Sequence, residues 1–129
     1  MNGPTIEVFV GRANPPDESG QFTQPEQATP ALIDTGATDS CIDEDFAKTL
    51  GLPIIDVRTV GGVAGKKQHN VYLAHVWVPN LNTQNRGPFV GVNLGGTNIL
   101  KQMVIVGRDF LFNSVLIYNG VTGDITLSR

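Results

Sequence analysis

Glycine and proline interrupt this chain so often that long helices have little room to form. Fifteen glycines and eight prolines are spread over 129 residues, and the apolar runs between them are short. Frequent turns of this kind are typical of short strands. A chain of this length can bury a core of its own. We therefore expect a single domain over residues 1–129 that is mostly β, with one or two short helices.

The apolar residues predict a series of strands, and in TIEVFVG they alternate as in a half-buried strand. The glycine-rich segment GGVAG (residues 61–65) separates two strand patterns and predicts the tip of a hairpin. A second hairpin is predicted near the end of the chain, around Asn119-Gly120 and Thr122-Gly123. The predicted strands are TIEVFVG (5–11), Ala31–Ile33, Ile54–Val60, NVYLAHVWV (70–78), FVGVNL (89–94), MVIVG (103–107) and the two arms of LIYNGVTGDITL (116–127).

Loops and helices fill the remaining segments. Residues 11–30 and residues 79–88 are polar and rich in proline, so both are expected to be loops, the first with at most a short strand at 21–23. Asp43 can cap a helix that runs through Leu50 and stops at the glycine after it. RDFLFN (108–113) predicts about one further helical turn.

Composition and charge argue against several classes of partner. The net charge is -3, the pI is near 5.2, and Lys66-Lys67 is the one basic pair, which argues against binding to nucleic acid. No apolar run reaches the length of about 18 residues that a membrane helix needs, and the N-terminus lacks the pattern of a signal peptide. We expect a soluble chain, cytoplasmic unless it is cut from a longer protein. Cys41 is the single cysteine, so an internal disulfide is impossible, and a buried structural thiol is the favoured interpretation.

The segment GGVAGKK resembles a phosphate-binding loop but does not match its pattern. The Walker motif has four residues between its glycines and a Ser or Thr after its lysine. Here Gly61 and Gly65 have three residues between them, and Lys66 is followed by Lys67. The mismatch argues against phosphate binding.

Metal-dependent and serine-dependent chemistry find little support in the sequence. His69 and His75 are six residues apart, which places them about 20 Å apart along a strand. No nearby cysteine or carboxylate completes a ligand set, so ordinary surface and core histidines are favoured over a metal site. The Gly-x-Ser-x-Gly motif of many serine hydrolases is absent from the sequence.

The segment ALIDTGATDSCID (residues 31–43) carries the strongest indication of chemistry. Its apolar strand ends at Asp34 and turns at once through Thr35, Gly36 and Ala37. A lone carboxylate at the end of a buried strand is costly, because burial disfavours its charged form. Either a neighbour neutralises Asp34 or a second group shares its proton. Asp-Thr-Gly also makes a good turn and recurs by chance, so the motif alone does not decide.

Three motifs in order resemble those of the retropepsin-like aspartic proteases, the single-lobed relatives of pepsin. These motifs are Leu32 to Ala37, the glycine-rich segment Val60 to Gly65, and Ile105 to Arg108, where an apolar strand runs into Gly-Arg. The resemblance covers roughly residues 28–127. The Leu-Gly-Leu-Pro that ends the predicted helix is more similar to the bacterial and cellular members of the family than to the viral ones. Thr38 stands where viral members often have an aspartate that meets an arginine, so the partner of Arg108 is left open.

The resemblance implies a closed acid-protease β-barrel with a flap hairpin, active as a homodimer without cofactor or metal. Asp34 of each subunit is expected to share a proton with the other and to activate a water that cleaves an extended peptide. The alternative, on the same fold, is a peptide-binding or dimerisation module that no longer cleaves. By resemblance, the catalytic residues are Asp34, Thr35 and Gly36; the substrate-binding residues are Ala37, Thr38, Asp39, Val60, Gly61, Gly62, Val63 and Ala64; the structural supports are Gly107 and Arg108; and Ile99 and Ile105 are further pocket candidates.

Overall fold

The structure, a computed structural model, describes residues 4–13, 17–21, 25–62, 65–81, 83–95 and 102–128. Nine strands and two short helices make up the described part of the chain, which confirms the mostly-β prediction. Their bounds are β1 (Thr5–Gly11), β2 (Gln27–Ile33), β3 (Cys41–Asp43), α1 (Glu44–Thr49), β4 (Ile54–Gly62), β5 (Gly65–Val78), a 3-10 turn (Pro79–Leu81), β6 (Thr83–Val92), β7 (Val104–Val106), α2 (Arg108–Leu111), β8 (Val115–Tyr118) and β9 (Ile125–Ser128).

Seven strands form one sheet in the order β1-β2-β7-β3-β6-β5-β4. β1 also pairs with β5, so the strand pairings form a ring of six strands with β4 outside it. Most neighbours are antiparallel, but β2 runs parallel to β7 and β3 runs parallel to β6. The β2–β7 pairing places Ile33 opposite Val106, so the chain leaves both strands at the same edge of the sheet. The first and third motifs of the sequence therefore meet at that edge.

The core is built from strand residues that alternate in burial. On β1, Ile6, Val8 and Val10 are buried while Glu7 between them is exposed, as the sequence pattern predicts. On β5 the residues nearest the glycine-rich tip are exposed, and burial begins at Val71. The tip-proximal half of the β4–β5 hairpin therefore lies outside the core. The buried apolar side chains include Ala31, Ile33, Ile42, Tyr72, Ala74, Val76, Val78, Phe89, Val104, Val106, Phe110 and Leu127.

Helix α1 begins and ends at the residues that the sequence predicts. The Asp43 carboxylate accepts a hydrogen bond of 3.0 Å from the N–H of Phe46, which makes Asp43 the N-cap. At the other end Gly51 has a φ of 69°. The N–H of Gly51 donates to the carbonyl of Lys48, and the N–H of Leu52 donates to that of Ala47, which is the Schellman arrangement. The helix buries Ala47 in the core.

Two segments predicted as loops contain strand. Residues 27–30 belong to β2, because β1 pairs with them in register from Glu7 to Val10. Residues 83–88 belong to β6, because β5 continues alongside them to Val78. In both cases pairing with a long neighbouring strand overrides the polar, proline-containing local sequence. Gln21 is not in a strand, and residues 22 and 23, where the short strand was predicted to continue, lie outside the described residues.

The predicted hairpin at the end of the chain is confirmed as β8 paired with β9 in a separate two-stranded sheet. Leu116 lies opposite Leu127, and both side chains pack against the core. Val115 and Ile117, on the other face, are about 60% exposed. In the part of the chain that the structure describes, no helix has the length and apolar character needed to cross a membrane.

Candidate active site

Asp34 lies at the first residue after β2, and backbone hydrogen bonds fix its turn. Its N–H donates to the carbonyl of Val106 at 3.0 Å, which continues the parallel β2–β7 pairing by one residue. The N–H of Gly36 donates to Asp34 Oδ1 at 2.9 Å, and the N–H of Ala37 donates to the Asp34 carbonyl at 3.2 Å. A Cβ at position 36 would lie 3.2 Å from Asp34 Oδ1 and would press on the carboxylate. The turn therefore holds one oxygen of a half-buried carboxylate beside exposed Thr35 and Gly36.

The Asp34 loop, residues 34–40, is attached to the Gly-Arg turn that follows β7. The N–H of Arg108 donates to the carbonyl of Ala37 at 2.8 Å, and the N–H of Asp109 donates to that of Thr38 at 3.2 Å. Arg108 Nη2 also donates to Thr38 Oγ1 at 2.8 Å. The sequence left the partner of Arg108 open. The structure shows that its side chain binds the hydroxyl of Thr38, the residue at the position where viral members often have an aspartate.

Gly107 fits against this loop because it has no side chain. A Cβ on Gly107 would lie 2.8 Å from the carbonyl oxygens of both Ala37 and Asp39. Those oxygens belong to the backbone and cannot move aside without moving the Asp34 loop. The Gly-Arg motif therefore places its glycine where the two segments leave no room for a Cβ.

Ser40 and Asp109 complete the attachment, and the sequence analysis did not single out either residue. Ser40 is 1% exposed, and its hydroxyl donates to Asp109 Oδ1 at 2.6 Å and accepts from the N–H of Gly107 at 2.9 Å. Asp109 also accepts the backbone N–H of Ser40 through both of its oxygens, at 3.0 and 3.1 Å. In the sequence Asp109 stands next to the Gly-Arg motif, but no pattern links it to a serine 69 residues away.

Asp39 faces a different partner, on the β4–β5 hairpin. Arg58 Nη1 lies 2.6 Å from Asp39 Oδ2, with side-chain exposures of 40% and 44%. Arg58 belongs to β4, opposite His69 of β5. The ion pair therefore connects the hairpin to the Asp34 loop.

The glycine-rich segment forms the hairpin tip, as predicted. Gly61 pairs with Lys66, and Gly62 pairs with Gly65. Gly65 has a φ of 101°, a backbone conformation that favours glycine. Val60 lies in β4 opposite Lys67. Val63, Ala64 and Ile99 lie outside the described residues, and Ile105 is half-buried in β7.

Cys41 is half-buried just behind the Asp34 loop, at the start of β3. Burial raises the pKa of its thiol, and the negative charges of Asp39, Asp109 and Asp34 raise it further. The thiol lies 3.8 Å from the carbonyl oxygen of Asp39. These surroundings disfavour the thiolate and therefore a nucleophilic role.

The two histidines are engaged separately along β5. His69 Nδ1 lies 2.9 Å from the carbonyl of Gly91, and His75 Nε2 lies 2.7 Å from Gln84 Oε1. His75 is buried. Among the described residues no group of three or more His, Cys, Asp or Glu side chains could hold a metal ion.

Two cavities among the described residues do not include Asp34 in their lining. One, of about 280 Å³, lies beside the start of α1 and includes Asp43, Glu44 and His69 in its lining. The other, of about 250 Å³, lies behind Ser40 and Asp109. Asp34 instead lies in a surface turn with exposed neighbours.

Comparison with known proteins agrees with this arrangement. The sequence model of the aspartyl protease family matches residues 20–110, which include the Asp34 loop, the hairpin tip and the Gly-Arg turn. No curated protein sequence matches the chain significantly.

Two solved structures resemble the chain in fold. The solution structure of Simian Foamy Virus (mac) protease is 15% identical, with a TM-score of 0.54, and the match covers 83% of this chain and 90% of that one. EIAV protease complexed with the inhibitor HBY-793 is 18% identical, with a TM-score of 0.52, and the match covers 86% of each chain. At these identities the likeness establishes a shared fold.

Proposed function

Since this chain belongs to the aspartyl protease family, we propose that it is a retropepsin-like aspartic endopeptidase that cleaves extended polypeptides as a homodimer. The observation that carries the proposal is the Asp34 turn: an Asp-Thr-Gly at the end of a strand that buries Ala31 and Ile33 in the core, with its carboxylate held by the N–H of Gly36. The loop is fixed to the Gly-Arg turn in the same chain. Each chain supplies one catalytic domain with one such carboxylate.

The chemistry follows from bringing two copies of Asp34 together. Two carboxyls in contact share one proton, because two adjacent negative charges cannot both form cheaply. The ionised member acts as general base on a water molecule between them, while the protonated member polarises the scissile amide and gives it a proton. Neither a covalent intermediate nor a metal ion takes part in this mechanism.

The neighbouring residues position the substrate. Thr35 locks the two Asp34 loops to each other, and Gly36 leaves room for the peptide backbone. The β4–β5 tip, including Val60, closes over the peptide and excludes water. Its backbone amides bind the peptide as an added strand. Residues proposed to line the substrate path are Ala37, Thr38, Asp39, Gly61, Gly62, Val63 and Ala64, with Gly107 and Arg108 supporting the loop from below.

The outer face of the β8–β9 hairpin is our proposed interface with the second copy. Within the described part of the chain, each of these two strands is paired in a sheet only with the other. The outward face carries Val115 and Ile117 beside Thr126 and Ser128, without a charged residue. A two-stranded hairpin with an exposed apolar face gains stability from a further layer or strand. An isologous contact supplies that layer from an identical chain.

Two features favour a relationship to the bacterial and cellular members of the family over the viral ones. The helix that ends in Leu-Gly-Leu-Pro is α1 with its Schellman cap at Gly51. Thr38 binds Arg108 through a hydroxyl, where viral members often use an aspartate. We propose this affiliation on those two features.

The test of function compares the wild-type chain with Asp34→Asn on a mixture of general peptides. Asn can neither accept nor donate the shared proton, so the variant should keep its fold and its dimer but lose cleavage. Cleavage by the variant at the wild-type rate would remove Asp34 from the mechanism. Peptide binding without cleavage by the wild-type chain would instead identify a non-cleaving binding module.

Mixing the two forms tests whether the site is shared. Excess Asp34→Asn should suppress wild-type activity beyond simple dilution, because mixed dimers contain one ionisable carboxyl instead of two. Activity should also fall faster than linearly on dilution. Specific activity that stays constant where sedimentation shows only monomer would contradict the shared site.

A further inference from the structure

The tip-proximal half of the β4–β5 hairpin has little apolar packing to fix its distance from the Asp34 loop. β4 lies at the end of the sheet, and among the described strands it is hydrogen-bonded only to β5. Ile54, Ile55 and Val57 on β4 are each more than half exposed. Burial of these side chains therefore does not hold β4 against the body of the molecule.

One charged contact does cross from β4 to the Asp34 loop. Arg58 Nη1 and Asp39 Oδ2 are 2.6 Å apart, a distance typical of a direct charge-assisted hydrogen bond. Arg58 is three residues before Gly61 at the tip, and Asp39 is five residues after Asp34. The contact thus joins the β4–β5 hairpin to the loop that carries Asp34.

The exposure of the pair sets its strength. Both side chains are about 40% exposed, so water competes for each charge. Pairs of this kind shift an equilibrium by at most about fivefold. Such a contact is strong enough to favour the closed position of a hairpin and weak enough to release it in every catalytic cycle.

We propose that Arg58 and Asp39 are a positioning pair that holds the β4–β5 hairpin down over the Asp34 loop while a peptide is bound. The proposal rests on the proposed function, because it assigns the hairpin to the covering of a peptide substrate. Neither residue takes part in the proton transfers. Their contact acts on substrate affinity by keeping the hairpin in place.

Backbone hydrogen exchange tests the pair without any need for activity. In Arg58→Ala the amides of β4 and of the exposed half of β5 should exchange up to about fivefold faster, because the hairpin opens more often. The control Lys66→Ala removes a cation from the other arm of the same hairpin. Lys66 has no carboxylate partner among the described residues, so this change should leave exchange unchanged. In about 1 M NaCl, where the Debye length falls to about 3 Å, the wild-type hairpin should exchange faster while Arg58→Ala should respond less.

Swapping the charges of residues 58 and 39 distinguishes a direct ion pair from two separate structural effects. The single reversals Arg58→Asp and Asp39→Arg place like charges together and should speed exchange in the hairpin. The double variant that carries both reversals restores an opposite-charge pair and should exchange more slowly than either single variant. A double variant no slower than the single ones, or an Arg58→Ala hairpin that exchanges like wild type, would overturn the proposal.

Kinetics supply a second readout in the active dimer. Arg58→Ala should raise KM up to about fivefold with kcat nearly unchanged, because the contact is present both in the bound complex and in the transition state. The double reversal is assessed by hydrogen exchange alone, because Asp39 is also proposed to line the substrate path. An unchanged KM would overturn the positioning role. A wild-type chain that cleaves no peptide would refute the proposed function, while the exchange experiment would still report on the pair.

Discussion

Removal of one buried hydroxyl should loosen the attachment of the Asp34 loop measurably. Ser40→Ala deletes the oxygen that accepts the N–H of Gly107 at 2.9 Å and donates to Asp109 Oδ1 at 2.6 Å. Ala fits the space of Ser, so the change removes two hydrogen bonds with little effect on packing. Ser40 is 1% exposed, so water cannot easily replace the lost oxygen.

The expected cost comes mainly from the Gly107 N–H. This group is buried and loses its acceptor, and an unsatisfied buried donor costs about 1–3 kcal/mol. The loss at Asp109 adds little, because its carboxylate is exposed and still accepts the backbone N–H of residue 40. We therefore expect the free energy of unfolding to fall by about 2 kcal/mol. With a urea m-value of about 2 kcal/mol/M, the unfolding midpoint should fall by about 1 M.

Urea unfolding followed through the single tryptophan can measure this change. Trp77 lies 5.0 Å from Phe9, centroid to centroid, and so reports on the β1–β5 pairing. Both proteins should be compared at one concentration, because the proposed dimer would make apparent stability depend on concentration.

Ser114→Ala is the matched control. The Ser114 hydroxyl is also buried but has no hydrogen-bond partner among the described residues, so its removal should change stability by less than about 0.5 kcal/mol. Equal losses in Ser40→Ala and Ser114→Ala, or no loss in Ser40→Ala, would refute the assignment of Ser40 as the link between the two segments.

Three further expectations address the interface, the hairpin tip and the thiol. Ile117→Glu should shift the chain to monomer in sedimentation and abolish cleavage. The control Val57→Glu changes a similarly exposed side chain on β4 and should leave the dimer intact. If Ile117→Glu remains dimeric, the β8–β9 face is excluded as the interface. Gly65→Ala should lower the free energy of unfolding by about 1 kcal/mol, because Gly65 has a φ of 101°. Gly61 has open space around it and no left-handed φ, so Gly61→Ala should lower it by less. Equal effects of the two changes would contradict the tip geometry. Burial is the largest of the causes that raise the pKa of the Cys41 thiol in the native chain. At a pH above the ordinary thiol pKa, the unfolded chain therefore binds fewer protons than the native chain. The free energy of unfolding should then fall as the pH rises from the ordinary thiol pKa to the raised one. Urea unfolding of Cys41→Ala at a series of pH values should not show this decrease.

Features encoded within a few residues were predictable from the sequence. Asp43 caps α1 and Gly51 ends it because both act on backbone groups of their own helix. The alternating strand β1 and the hairpin β8–β9 were likewise predicted from local pattern and turn residues. The Asp34 turn was expected from its three-residue motif. The N–H of Gly36 donates to the Asp34 side chain within that motif, which explains why three residues suffice to form the turn.

Features that depend on distant partners were not predictable in this way. Residues 27–30 and 83–88 have a loop-like composition and become strand because β1 and β5 pair with them. Ser40 is an ordinary polar residue until the fold brings it to Asp109, and the same holds for Arg58 and Asp39. Spacing along one sequence does not encode such contacts, since each requires the sheet topology first.

The attachment of the Asp34 loop also has a consequence for the timing of its assembly during protein synthesis. The side-chain hydrogen bonds that join residues 38–40 to residues 107–109 span 67 to 70 positions. A growing polypeptide that has not reached Gly107 can form none of them, and it needs Asp109 to form the last, however complete its first strands are. Closing so long a segment is entropically costly, and the parallel β2–β7 pairing meets part of that cost because it brings the two segments to the same edge of the sheet. A ribosome-bound fragment that lacks residues 107–109 would therefore carry Asp34 without the support that positions it, and the proposed proteolytic activity should arise only after these residues have been added.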